Sequence, residues 1–283
     1  MGKRPVRCEW TPLQDALTVF AENVAGHQGQ SHIKPLHWYT ACRFVIEGGF
    51  LPEDITPRPP FIATKRRSRW ILEHDPKASG SGERAVLGGL KTKNVDVVVC
   101  KDGVGPVVAV STKGTLNAFR NLTNRMEEAV GDCTNLHIAY PALVYGFLHV
   151  LRANVEREGV PPNDVVIRRD GTVSEAIIRY HDVVARLSDR DDVRAEVSKY
   201  EAVAMALVAP NRADFGTVID AFPPSDSPLR LEIFFDKLYT SYDLRFVFAA
   251  PSLESTTRRV EWDPESPVLA DSRVHEFNPR VSH

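Results

Sequence analysis

Two β-branched runs constrain this chain most: Val95 to Cys100 (VDVVVC) and Pro106 to Val110 (PVVAV), separated by KDGVG. Valine fits a pleated, buried strand, and Asp102-Gly103 supplies a hairpin turn, so the runs predict an antiparallel pair. Polar residues within such a pair need a reason. Asp96 opens the first run, and Ser111 and Lys113 close the second in VAVSTKG. Side chains alternate along a strand, so Ala109, Ser111 and Lys113 share a face, and the turn brings that end back beside Asp96. An acid and a lysine are therefore expected together at one edge of a buried sheet.

The rest of the chain reads as an α/β order. Thr11 and Pro12 open a helix with the stripe Leu13, Ala16, Leu17 and Phe20, a second helix spans Pro35 to about Glu47, and Gly48 and Gly49 stop it. Four prolines between Leu51 and Phe61 predict an extended connector, and residues 77–94, rich in Gly, Ser and Lys, predict a mobile loop. Downstream, Leu116 to Val130 has helical spacing ended by Gly131, LHIAY at 136–140 reads as a strand, and a long apolar helix is expected from Pro141 to about Glu156. Helices are expected over Val173 to Leu187 and Leu229 to Tyr239, a buried strand over Ala202 to Val208, and an edge strand at Phe246 to Ala249. The strand after a crossover helix should lie parallel to an earlier one. The division is a helical subdomain at 1–60, an α/β core with insertions at 61–250 and a peripheral, proline-containing tail at 251–283.

Composition narrows the function classes. The 283 residues carry 35 basic and 37 acidic side chains, a formal charge of -2, so no global field draws the chain to nucleic acid or an anionic membrane, and any polyanion contact must be local. Cys8, Cys42, Cys100 and Cys133 follow no CxxC or CxxH pattern, which argues against a zinc ribbon or a disulfide framework and suits a reducing cytoplasm. No apolar stretch approaches the roughly 18 residues of a membrane span, and MGKRPVRCEW lacks a signal-like apolar core. A soluble, cytoplasmic protein is expected. GxSxG, HExxH and kinase signatures are missing from the sequence.

A third group joins Asp96 and Lys113. Glu127 lies 14 residues after Lys113, beside the apolar stripe of Met126 and Val130, whereas Glu128 is a further 100 degrees round the helix and is expected to face solvent. Glu83, which precedes Asp96 by 13 residues, is a reserve acid entering from the 77–94 loop. Carboxylates beside a lysine at a strand end are what metal-assisted phosphodiester hydrolysis requires: the acids hold Mg2+, and the lysine orients water or offsets charge at phosphorus.

At these residues the sequence resembles the PD-(D/E)xK nuclease superfamily, the fold of most type II restriction endonucleases. The resemblance covers about Asp96 to Tyr140: an acid on the first strand, Ser111-x-Lys113 on the second, a helix bearing NRMEEAVGD and then a strand. Ser111 stands where the usual pattern has Glu or Asp, and Val95 where it often has Pro. A subgroup cutting CCGG-core sites is similar in having Ser-x-Lys with a Glu some 13 to 14 residues later. The resemblance implies a restriction-endonuclease-like mixed sheet flanked by helices, and a homodimer acting on double-stranded DNA at a palindromic site. It implies Asp96 and Glu127 as Mg2+ ligands, Lys113 positioning the attacking water, and Ser111 as a supporting donor. A catalytically silent DNA-binding protein, in which Ser111 records loss of an acid, and a nuclease acting on modified DNA are the alternatives.

Candidate DNA contacts are the basic cluster Lys65, Arg66, Arg67 and Arg69 beside Trp70, with Arg120 and Asn124 on the helix, for which a solvated surface is the plainer account. His32 and His37, near Trp38 and Tyr39, are expected as partly buried members of the helical segment, with a metal or base-stacking role as the sharper alternative.

Overall fold

The computed structural model describes residues 6–22, 30–117, 119–210 and 214–282, and for Gln30 and Arg120 the backbone alone. In chain order the elements are α1 (Leu13–Glu22), α2 (Lys34–Ile46), β1 (Ile55–Thr56), β2 (Phe61–Arg66), β3 (Arg69–His74), β4 (Arg84–Leu87), β5 (Thr92–Val95), β6 (Val97–Lys101), β7 (Gly105–Thr115), α3 (Leu122–Ala139), β8 (Val144–Arg152), α4 (Glu175–Ala185), β9 (Ala202–Val208), α5 (Leu231–Tyr242) and α6 (Glu254–Thr257). This is a mixed α/β fold around a five-stranded sheet of order β1-β6-β7-β8-β9. The β1–β6 and β6–β7 pairs are antiparallel, whereas β7–β8 and β8–β9 are parallel. Gly103 at φ 70 and Gly105 at φ 98 take the left-handed conformations that turn β6 into β7. Strands β2–β3 and β4–β5 form separate hairpins.

Both faces of the sheet are covered, which is why β9 is apolar throughout and every residue of it is buried. On one face Leu17, Phe20, Leu36, Tyr39, Phe234 and Phe235 of α1, α2 and α5 pack on Val97, Val99, Val108 and Val110. On the other, Cys133, Leu136, Ile177 and Val184 of α3 and α4 pack with Val98, Ala109, Tyr145 and Phe147. The alternation along β6 and β7 divides these two sets as a period of two requires.

Four expectations are corrected. Helix α3 runs through Gly131 to Ala139, because Ala129, Cys133 and Leu136 continue its buried stripe; LHIAY is its last turns and not a strand. The strand of that crossover is β8, where an apolar helix was expected. It is covered on both faces and so shows no alternation, and a Cβ on Gly146 would lie 2.8 Å from Phe234 of α5. Residues 243–248 extend α5 as a π-helical segment and not an edge strand. The expected mobile loop at 77–94 contains the β4–β5 hairpin. Its turn is fastened to α3 by Asn135, whose Oδ1 accepts from Leu90 and Lys91 N–H at 2.8 and 2.9 Å.

The expected peripheral tail is woven into the core. Trp262 is fully buried and its indole donates to Val45 O of α2 at 2.9 Å, while its backbone N–H donates to Arg280 O at 2.8 Å. Residues of α1, α2, the sheet and this tail (Trp262, Val268, Val274 and Phe277) belong to one hydrophobic cluster. Among the described residues no helix is long and apolar enough to cross a membrane.

Candidate functional site

Asp96 occupies the junction between β5 and β6 and is buried, at 6% exposure. The β6–β7 register, with Val97 opposite Val110, places Asp96 beside Ser111 and Thr112. Its Oδ2 accepts from Thr112 N–H at 2.8 Å and from the Ser111 hydroxyl at 3.2 Å. A buried carboxylate is tolerated when donors of this kind replace water. Ser111 thus stands where the sequence placed it, as a donor to the acid.

The β4–β5 hairpin adds a second carboxylate. Arg84 pairs with Val95, so the next position out on each strand is Glu83 opposite Asp96. From the other side α2 contributes His37, 3% exposed, with Nε2 at 3.9 Å from Asp96 Oδ1 and without a hydrogen-bond partner. One ligand atom from each of His37, Glu83 and Asp96 lies within 4.8 Å of the other two. Burial pushes the His37 imidazole below its usual value despite the opposing pull of Asp96, which leaves the ring neutral at pH 7 and its lone pair able to ligate. Two carboxylates and one neutral imidazole are a donor set that suits a divalent cation, and an ion about 2.1 Å from each would draw them to within about 4.2 Å of each other. A cavity of about 260 Å3 lined by Lys34, His37, Trp38, Glu83 and Asn94 leads to the group.

Lys113 lies two residues beyond Ser111 on β7, half-buried, with its ammonium 3.7 Å from Glu128 of α3. The helix acid that meets the lysine is Glu128, where Glu127 was expected. Glu128, Asp132 and Asn135 follow one face of α3 at i, i+4 and i+7, and respectively meet Lys113, Lys93 and the backbone of Lys91. Glu127 and Glu128 are both exposed, Glu128 as expected, and neither is in the His37, Glu83 and Asp96 group. Burial opposes ionisation of Glu128, but Lys113 and Arg125 outweigh it and hold the carboxyl below its usual value.

Across the parallel register Lys113 lies opposite His149 of β8. The His149 ring is buried between Tyr180 Oη at 2.6 Å and Thr115 Oγ1 at 2.9 Å. Burial, reinforced by Arg125 and Lys113, pushes it down to about 3, so it stays neutral beside the lysine.

The expected basic cluster lies on a separate hairpin. Lys65, Arg66, Arg67 and Arg69 are all exposed on the β2–β3 hairpin, with Arg67 at its turn at φ 56. Lys65 lies over the Trp70 ring at 5.7 Å, Arg66 pairs with Glu73 at 3.7 Å and Arg69 with Asp263 at 3.2 Å. Asn124 is exposed in the first turn of α3, and the side chain of Arg120 lies outside the described residues. Sequence reasoning held Glu83 only in reserve behind Glu127, because its place opposite Asp96 arises from the register of a hairpin read as loop. It set His37 aside because a histidine in an apolar helix gives no sign of what it faces.

No family model, curated protein or solved structure matches the chain.

Proposed function

We propose that the protein is a Mg2+-dependent endonuclease of the PD-(D/E)xK type, hydrolysing phosphodiester bonds of double-stranded DNA at a specific site as type II restriction enzymes do. The observation that carries this is the convergence of Asp96, Glu83 and His37 beside β7, with Lys113 two residues along from Ser111, the donor to Asp96. The antiparallel β6–β7 pair, crossover helix α3 and parallel β8 support a restriction-endonuclease-like core.

In this reading Asp96, Glu83 and His37 would hold the cation, and Glu83 takes the role first given to Glu127. A bound divalent ion supplies charge for the phosphate and lowers the pKa of water. Thr112 N–H and Ser111 fix the Asp96 carboxylate toward the site. Lys113 offers an ammonium to the attacking water or to a non-bridging phosphate oxygen, and Glu128 positions it by ion pairing. The neutral His149 fills the neighbouring strand position without adding a second positive charge. A homodimer would place one such site on each strand of a palindrome.

Incubation of the purified protein with unmethylated phage DNA in Mg2+ and in EDTA tests the reading, beside Lys113→Ala, Glu127→Gln and Glu128→Gln. Discrete fragments in Mg2+ alone, lost in Lys113→Ala, reduced about tenfold or more in Glu128→Gln and unchanged in Glu127→Gln, are expected. Ser111 in place of an acid favours one second reading, a silent DNA-binding protein. Retained binding with no cleavage of unmodified or methylated DNA would select it.

A further inference from the structure

Beyond this site, the carboxyl ends of β7, β8 and β9 open onto a cleft of about 600 Å3. Leu116 and Asn117 follow β7 into it, Arg152 ends β8, and Asn154 and Arg157 stand on the loop after β8. The space outside the carboxyl ends of parallel strands is where open α/β sheets take ligands. Asn154 is committed to the wall, donating to Leu116 O at 2.8 Å.

The two arginines are the distinctive part. Arg152 Nε is buried and has no hydrogen-bond partner. The charged neighbour that acts on Arg152 is another cation, Arg157; burial and then Arg157 push its guanidinium below the usual value. On the same stretch of surface Arg168 and Arg169 are instead paired with Glu175 and Glu156 at 3.6 and 3.7 Å. Asp164 gives the lining one carboxylate, so two guanidiniums leave the cleft net positive. Two guanidiniums held side by side, one with an unfilled donor, suit an oxyanion, and their forked N–H groups match phosphate geometry.

Arg152 ends β8 three residues past His149, the strand partner of Lys113, so alternation turns its side chain to the other face of the sheet and the cleft is a contact separate from the Lys113 site. We propose that the Arg152–Arg157 cleft binds a backbone phosphate of the nucleic acid away from the one at Lys113. This rests on the nuclease reading.

The test is fluorescence anisotropy of a labelled 30-base-pair duplex in Ca2+ over a series of NaCl concentrations, with cleavage assayed in parallel. Arg157→Ala, a change at an exposed side chain, and Arg152→Ala should each weaken binding and reduce the slope of log K against log salt by about 1. Arg152→Lys, which keeps the charge, should retain the wild-type slope. If wild type binds and cleaves while Arg157→Ala and Arg152→Ala keep its affinity and slope, the cleft proposal fails and the nuclease reading stands. Calorimetric binding of inorganic phosphate that is lost in Arg157→Ala, with the duplex slope unchanged, would make the cleft a small-anion site and overturn the proposal. Failure of wild type to bind any duplex would overturn the nuclease reading and the cleft with it.

Discussion

Acidification should destabilise the protein through His149, by an amount its surroundings fix. In the folded state the ring is fully buried between Tyr180 and Thr115 and titrates at about 3; in the unfolded chain it takes the ordinary value of 6.5. Between those values the unfolded chain binds a proton that the folded chain refuses, so stability is fully present above pH 6.5 and is lost as pH falls. At pH 5 the loss is about 1.5 pH units at 1.36 kcal/mol each, or about 2 kcal/mol, against almost nothing at pH 7.5. Urea denaturation followed by tryptophan fluorescence at both pH values measures it, with His149→Gln alongside. The variant loses a hydrogen bond at every pH, and that offset cancels in the difference between the two. His37, also held below its usual value by burial, contributes equally to both proteins. Wild type should therefore lose about 2 kcal/mol more than His149→Gln between pH 7.5 and 5. Equal losses would mean that His149 takes up its proton in the folded state, and the account of a ring kept neutral beside Lys113 would be wrong.

Other outcomes follow from single contacts. Glu201 is buried and accepts from Tyr145 N–H at 2.6 Å, Arg190 at 3.0 Å and Arg245 at 2.5 Å, so Glu201→Ala leaves two guanidiniums without their acid and should cost roughly 3–5 kcal/mol in the urea midpoint analysis. Mn2+ at about 100 times its dissociation constant should stabilise wild type by about 2.7 kcal/mol, read as a thermal shift, and Asp96→Asn or Glu83→Gln should abolish most of that shift. Trp262→Ala empties a fully buried site and removes the hydrogen bond to α2, for an expected loss of about 3–5 kcal/mol; a loss near zero would show the tail to be dispensable.

What could be read from the sequence was what local rules determine. The β6–β7 hairpin followed from valine runs around Asp-Gly, and alternation with a turn put the end of β7 beside Asp96; the residue that meets the acid there is Ser111, whereas Lys113, expected against Asp96, ion-pairs with Glu128 of α3. Helices α1, α2, α4 and α5 carried legible apolar spacing. Strand β8 was missed because a strand covered on both faces loses the alternation that distinguishes it from a buried helix. The choice between Glu127 and Glu128 depended on helix phase. That phase is set by Ala129, Cys133 and Leu136 packing on the sheet, beyond the Gly131 at which the helix was expected to end. Glu83 could be named only as a reserve acid, because its pairing with Asp96 is set by hairpin register, and the approach of His37 from α2 is a tertiary fact with no local signature.

The turn between β4 and β5 thereby acquires an unusual rigidity of length. Surface turns generally accept an extra residue, yet residues 88–91 count out the distance that sets Glu83 opposite Asp96. Because successive side chains point to opposite faces, adding or deleting one residue there would turn Glu83 away from the site while leaving both strands intact. Asn135 grips that turn through the backbone of residues 90 and 91, and a Cβ on Gly88 would fall 2.2 Å from its amide. Helix α3 therefore acts as a gauge for the hairpin, and natural or engineered length variation should be tolerated in the β2–β3 turn long before it is tolerated here.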